Sequence, residues 1–305
     1  MAEPLSEGAS AAPPDGLGAP GGGFWRRWWP ALPAGMGLLL LFLVPMAILA
    51  MYSLWRINRN LQIVVDWNLS NYATFFGEGT YVRTFAKTIV VAVISTAATV
   101  AAALPFAYFI VRYIGRAWQR VVLLGVIIPF WSSYLLRAYS WQSILGEKGV
   151  VNGALQAIGL IHEPIFFFNY TNSAVVLVLV YVYLPFAVLA IYASLERFDF
   201  GLVTAAQDLG ASPLRAVRHV LLPAIRPGII TACIFVFIPI LGEYLTPTLV
   251  GGVEGTLIAN LVVNFARGGQ YPLAAAASFL IAAVVTVLLV VFRRYLRVQD
   301  VVGRV

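Results

Sequence analysis

Apolar residues along this chain gather into six long runs separated by short polar stretches: 34–54, 86–111, 121–144, 174–195, 229–250 and 273–292. Each is near or above the length of about 20 residues that a helix needs to cross the hydrocarbon core of a bilayer. The repeated ten-residue alternation of a membrane barrel does not occur, and only helices and closed barrels satisfy their backbone inside lipid. The pattern therefore predicts an all-α integral membrane protein with six transmembrane helices. Composition points the same way. Hydrophobic residues make up 61% of the chain and charged residues 11%, and the mean hydropathy is +0.86, outside the range of ordinary soluble domains.

The ends read differently from the middle. Residues 1–33 open with MAEPLSEGASAAPPDGLGAPGGG, rich in Pro, Gly, Ala and Ser with no apolar period, which predicts a disordered tail. FWRRWWP then sets Arg26 and Arg27 beside Trp25, Trp28 and Trp29, the make-up of an anchor at a membrane surface. A cleaved signal peptide is the alternative, but its apolar core would be shorter than 34–54 and followed by a small-residue cleavage site. The first helix is therefore expected to be retained. The expected organisation is a tail over 1–33, a six-helix domain over 34–292 with a long polar loop at 196–228, and a short tail over 293–305.

Charge adds the orientation. With six spans, the N-tail, the 112–120 loop, the 196–228 loop and the C-tail share one side. That side carries 13 of the 20 basic residues, the opposite side six, and Arg137 lies within the third run. Positive-inside reasoning places both termini in the cytoplasm. The net charge of +7 thus records topology. No basic groove interleaved with aromatics supports nucleic-acid binding. Cys233 is the sole cysteine, so no disulfide is available. His162 and His219 fall on opposite sides of the membrane and cannot share a metal. Neither a G-x-x-x-x-G-K-[ST] loop nor a Ser/His/Asp constellation occurs, which leaves no basis for cofactor binding or enzymatic chemistry in this chain.

One polar segment is unusually structured. In TAAQDLGASPLRAVRHVLLPAIRPG, residues 204–228, positions 204–209 suit a helix and Gly210 turns the backbone. Ser212 and Pro213 make a helix start, a side-chain cap followed by proline at the first helical position. Leu214, Val217 and Leu221 are expected on one face, with Arg215, Arg218 and His219 toward the other. Pro223 is expected to stop this helix and Pro227-Gly228 to open the next span. Two readings fit: a basic helix lying in the headgroup layer, or a framed docking element for a cytoplasmic partner.

The spacing of this segment resembles the cytoplasmic loop signature of permease subunits in binding-protein-dependent ABC importers, E-A-A-x3-G-x9-I-x-L-P. Here it reads Thr204-Ala205-Ala206, then Gly210, then Val220, Leu222 and Pro223. Thr204 stands where the pattern has an acidic residue, and Asp208, four residues on, could partly substitute for that charge. IIPFWSSYLLRAYSWQSILGEKGVVN (127–152), GEYLTPTLVGG (242–252) and IAN (258–260) are similar to stretches of the spermidine/putrescine permeases, and the likeness covers roughly residues 30–300. The resemblance implies a type I importer permease fold in a bacterial inner membrane. It also implies a second permease subunit, a pair of ATPase subunits that hold ATP and Mg, and a periplasmic binding protein. The 204–223 loop would then be the coupling helix that meets the ATPase.

The substrate path is sought in the spans. Pro105, Pro129, Pro185 and Pro239 lie well inside four of them, where proline removes a backbone hydrogen bond and bends a helix. Such bends are either tolerated packing features or the walls of a cavity. Glu243 is expected roughly 24 Å from the start of the fifth span, within a core about 30 Å thick. An acidic group there needs a partner or water. Three readings stay open: an ion pair with Arg137, exposure to an outer vestibule, or contact with a cationic substrate. For the last, Trp131, Tyr134, Tyr139, Trp141 and Tyr244 would supply aromatic faces, although aromatics near span ends also serve as interfacial anchors. Polyamines fit best, with ferric iron or a small organic cation as the alternative solute. A secondary transporter and a membrane scaffold are rival classes: the first leaves the 204–223 spacing unexplained, and Glu243 with the four mid-span prolines argues against the second.

Overall fold

The computed structural model describes residues 32–58, 60, 62–165 and 170–296. The expected disordered tail, the Arg26–Arg27 aromatic anchor and most of the C-tail lie outside these residues. The chain divides into two units, Met1–Ile48 and Leu49–Val305. Most of helix α1 (Leu32–Leu54) belongs to the first unit and carries a further internal proline, Pro45.

The second unit opens with a two-stranded hairpin, β1 (Arg56–Ile57) and β2 (Ile63–Val64), which the apolar pattern did not announce. Asn58 organises its turn, its side-chain oxygen accepting from the backbone N–H of Asn60 and Gln62 at 3.0 and 2.9 Å. Arg56 pairs with Asp66 at 2.9 Å. Helix α2 (Ser70–Gly77) leads into α3 (Gly79–Tyr113), whose 35 residues run to roughly 50 Å, well beyond a bilayer core. Next come α4 (Arg116–Ile127), a 3-10 turn over Ile128–Trp131, α5 (Tyr134–Leu145) and α6 (Val150–Ala157). Helix α7 (Asn172–Leu195) is followed by α8 (Gly201–Asp208), α9 (Pro213–Ala224), α10 (Arg226–Leu241), α11 (Ile258–Arg267) and α12 (Tyr271–Leu296).

Helices α3, α7 and α10 form the centre. Thr88, Ala92, Ser95, Thr99, Ala103 and Ala107 are buried on α3 and recur every three or four residues, a stripe of small side chains along one face. Small residues let helix backbones approach closely, and close packing holds helices together where lipid removes the hydrophobic drive. The core that the three helices share also holds Val178, Val182 and Ile191 of α7 and Val236 and Ile240 of α10. The hydroxyls of Thr99 and Thr88 are satisfied locally: Thr99 donates to the Ser95 carbonyl at 2.6 Å and Thr88 to that of Thr84 at 2.8 Å. Gly228 permits the tightest crossing, because a Cβ there would sit 2.4 Å from Ser194 Cβ. Gln119 closes the α3–α4 junction. Its amide nitrogen donates to the Ile114 carbonyl at 2.8 Å and its oxygen accepts from the Tyr192 hydroxyl at 2.9 Å.

Two of the six apolar runs are not straight helices. By length and composition four described helices suffice to cross a membrane, or up to six spans if each bent pair counts as one. In the third run the arms Arg116–Trp131 and Tyr134–Ala157 meet at 89°. Pro129 offers no N–H, and the chain becomes extended at Ser132 (ψ 150°), where the Ser132 hydroxyl donates to the Pro129 carbonyl at 2.7 Å. The fifth run also departs from expectation: α10 ends at Leu241, after Pro239 and at Gly242. Glu243 therefore lies in a break beyond the helix end. A π turn over Pro247–Gly251 completes the run.

Candidate functional site

The breaks of the third and fifth runs meet around Glu243, which is 8% exposed. The backbone of 243–246 folds so that carboxylate oxygen Oε1 accepts from the N–H groups of Leu245 and Thr246 at 3.0 and 3.2 Å. That arrangement caps the start of the helical turns leading to Gly251, where bare N–H groups attract negative charge. The other oxygen, Oε2, accepts from the Tyr134 hydroxyl at 2.7 Å and from the Tyr183 hydroxyl at 3.3 Å. Tyr134 Oη also meets Thr246 Oγ1. Because the tyrosine proton goes to the carboxylate, Thr246 is the donor in that contact. Four donors match the acceptor capacity of a carboxylate, so its burial is compensated by hydrogen bonding alone.

No ion pair joins Arg137 to Glu243, which removes that reading of the two charges. Among the described residues the ion pair is Arg56–Asp66. The guanidinium of Arg137 instead lies over the rings of Phe130 and Tyr134, 4.9 and 5.7 Å from their centroids. The bend of the third run brings this about, because it turns α5 away from the direction that a straight helix would give.

The structure thus gathers Glu243, Tyr134 and Arg137, and adds Tyr183, Thr246 and Phe130, which sequence reasoning missed. Tyr183 carried one usable signal, a hydroxyl in the middle of an apolar run that needs a buried partner. The other aromatic candidates stand apart. Trp141 packs edge-on against Tyr181 at 5.2 Å. Trp131 is 85% exposed at the break, and Tyr139 and Tyr244 are also exposed. The Tyr244 backbone contributes in another way, since its carbonyl accepts from the Asn260 amide at 2.9 Å and so ties the break to α11.

The polar segment between α7 and α10 forms a second candidate region. Thr204, Ala205 and Ala206 lie on α8, which ends in a left-handed turn at Gly210 (φ +89°). The N–H groups of Gly210 and Ala211 donate back to the carbonyls of Gln207 and Ala206 at 2.8 and 3.0 Å, the paired closure of a glycine-terminated helix. The Ser212 hydroxyl then accepts from the Arg215 N–H at 3.4 Å with Pro213 in the first turn, as the spacing predicts. Leu209 and Leu214 project outward, 89% and 78% exposed.

The face expected from Leu214, Val217 and Leu221 is split: Leu214 points out and Leu221 is buried. A π turn over Val217–Leu221 widens the helix by a residue and rotates one end against the other. The extra width relieves the clash that Pro223 would make with the carbonyl four residues earlier. Pro223 consequently does not stop the helix. Together with Leu222 it sits in the final turn of α9, and the chain bends by 68° into α10 just beyond Ala224.

Residues 22–300 match the family of binding-protein-dependent transport system inner membrane components. The chain belongs to this family. It is 33% identical to the spermidine/putrescine transport system permease protein PotB of Escherichia coli (strain K12) over 267 residues, covering 87% of this chain and 96% of that protein. It is 32% identical over 286 residues to the inner membrane ABC transporter permease protein YdcU of the same organism, covering 86% and 88%. In three dimensions it superposes with TM-score 0.69 and 19% identity on a chain of a bacterial alginate ABC transporter crystallised with its alginate pentasaccharide-bound periplasmic protein, covering 90% and 98%. The chain is therefore a helical permease subunit of an ABC importer with the type I fold, an inner membrane component of a transport system.

Proposed function

We propose that this permease forms half of the path through which an ATP-driven importer moves polyamines such as putrescine or spermidine. The reading is supported first by the tyrosine-lined carboxylate at Glu243, buried at the meeting point of two broken spans. Polyamines combine spaced ammonium groups with an apolar chain, and a buried carboxylate among aromatic faces complements both parts. An ammonium group arriving there replaces the longest of the four bonds, that from Tyr183 at 3.3 Å. The spermidine/putrescine permease relatives support the same solute class.

The remaining parts of the machine follow from this reading. A second, homologous permease subunit supplies the other half of the path and further carboxylates. A periplasmic binding protein delivers the solute. Two cytoplasmic ATPase subunits hold ATP and Mg and dock on the 204–223 segment, where exposed Leu209 and Leu214 flank a rigid turn. Both termini lie in the cytoplasm in this arrangement.

ATP hydrolysis by the complex co-purified with this chain, reconstituted with its binding protein, tests the proposal. Putrescine, spermidine, ferric iron and no solute are compared. Stimulation by a polyamine alone is expected. Stimulation by ferric iron alone discards the polyamine, and absence of any co-purified ATPase discards the coupling role of 204–223.

A further inference from the structure

Arg137 is the only charged residue of the third apolar run, and neither capping nor ion pairing explains it. Its guanidinium carbon rests over Phe130, on one arm of the 89° bend, and over Tyr134, the first residue of the other arm. Its Nε is buried and has no hydrogen-bond partner. An arginine in apolar surroundings ordinarily finds a carboxylate or a carbonyl fork. Here the carboxylate of the network, Glu243, makes no ion pair with it and has its acceptor sites filled by two hydroxyls and two backbone N–H groups. A purely structural clasp between Phe130 and Tyr134 needs no charge, since a leucine or methionine packs against two rings without leaving a buried donor unmade.

We propose that Arg137 is a place-holding cation. It occupies the aromatic faces from which a substrate ammonium reaches Glu243, and at rest it closes the path electrostatically to small monovalent cations. The proposal rests on the polyamine reading of the Glu243 site. Guanidinium suits this role because it is permanently charged, weakly hydrated and stacks on rings. A potassium ion arriving about 6 Å away at an effective dielectric near 20 has its occupancy reduced about a hundredfold. A polyamine differs in kind. Its linked ammonium groups and apolar stem make several contacts at once, so one part of the ligand displaces the arginine while another is already held. Displacement also frees the ring of Tyr134, whose hydroxyl is the shortest bond to Glu243, so opening the filter and releasing the carboxylate occur together.

The test uses the complete transporter in proteoliposomes containing a potassium-sensitive dye, without ATP or binding protein. Wild type, Arg137→Gln and Arg137→Lys are compared, and each is checked for intact assembly by size exclusion. Arg137→Gln is expected to raise the resting potassium leak about tenfold or more, and Arg137→Lys to restore a tight membrane. An intact Arg137→Gln complex with wild-type leak overturns the proposal, as does a wild type that leaks as fast as the variant. If Arg137→Gln does not assemble, Phe130→Leu takes its place. Removing one ring beneath the guanidinium should give an intermediate leak, and no change overturns the filter. Uptake by Glu243→Gln is measured in parallel. Normal uptake there sinks the polyamine site on its own, whatever the leak shows.

Discussion

Glu243 shows how one residue's surroundings set the order in which it loses support. Tyr134→Phe removes the 2.7 Å bond and the link to Thr246, whereas Tyr183→Phe removes a 3.3 Å bond and nothing else. A hydrogen bond to a charged group contributes about 1.5–3 kcal/mol, so the first change is expected to cost that much and the second distinctly less. Thermal unfolding of the detergent-solubilised complex measures both, and equal shifts would contradict the hierarchy. Glu243→Gln is expected to impair uptake strongly while the complex still assembles. Loss of assembly in that variant would instead make capping of the 245–251 turns the whole role of Glu243.

Glycines decide how the elements join. At Gly210 the backbone is left-handed and no atom lies within 4 Å of an added Cβ. Gly210→Ala therefore introduces strain without a clash, at about 1 kcal/mol. The expected result is a loosened α8–α9 turn, faster limited proteolysis at 209–212 and lower solute-stimulated ATP hydrolysis. Gly228 is the opposite case, with helical backbone and a 2.4 Å approach to Ser194. Gly228→Val should push α10 away from α7 and cost about 1–3 kcal/mol or more. Gly125→Ala, with open space around its Cβ, is the control and should melt like the parent. If Gly228→Val melts like that control, the close crossing is not where α7 and α10 make contact.

Orientation belongs to the whole molecule, and one cysteine makes it testable. With Cys233→Ala as background, single cysteines replace Glu147 in the α5–α6 connection and Leu209 at the α8–α9 turn. A membrane-impermeant maleimide applied to intact spheroplasts is expected to label position 147, and position 209 only after permeabilisation. The reverse pattern would invert the topology. The charge bias behind this expectation sums over many loops and needs no knowledge of packing.

The sequence by itself determined whatever depends on neighbours along the chain. The number of apolar runs, the glycine turn at 210 and the Ser212–Pro213 helix start were all legible, because burial in lipid and cap geometry are decided within a few residues. Tertiary structure alone decided which faces meet. Helix α7 is apolar on every side, so nothing in its pattern shows that Val178, Val182 and Tyr183 turn inward. Tyr183 and Glu243 are 60 residues apart, and only the breaks at 132–133 and 242–244 bring Tyr134, Tyr183 and Glu243 together. An ion pair between Arg137 and Glu243 looked natural on straight helices. The third run bends after Pro129 and the fifth breaks at Gly242 after Pro239, and the guanidinium meets aromatic rings while the carboxylate meets hydroxyls and backbone N–H groups.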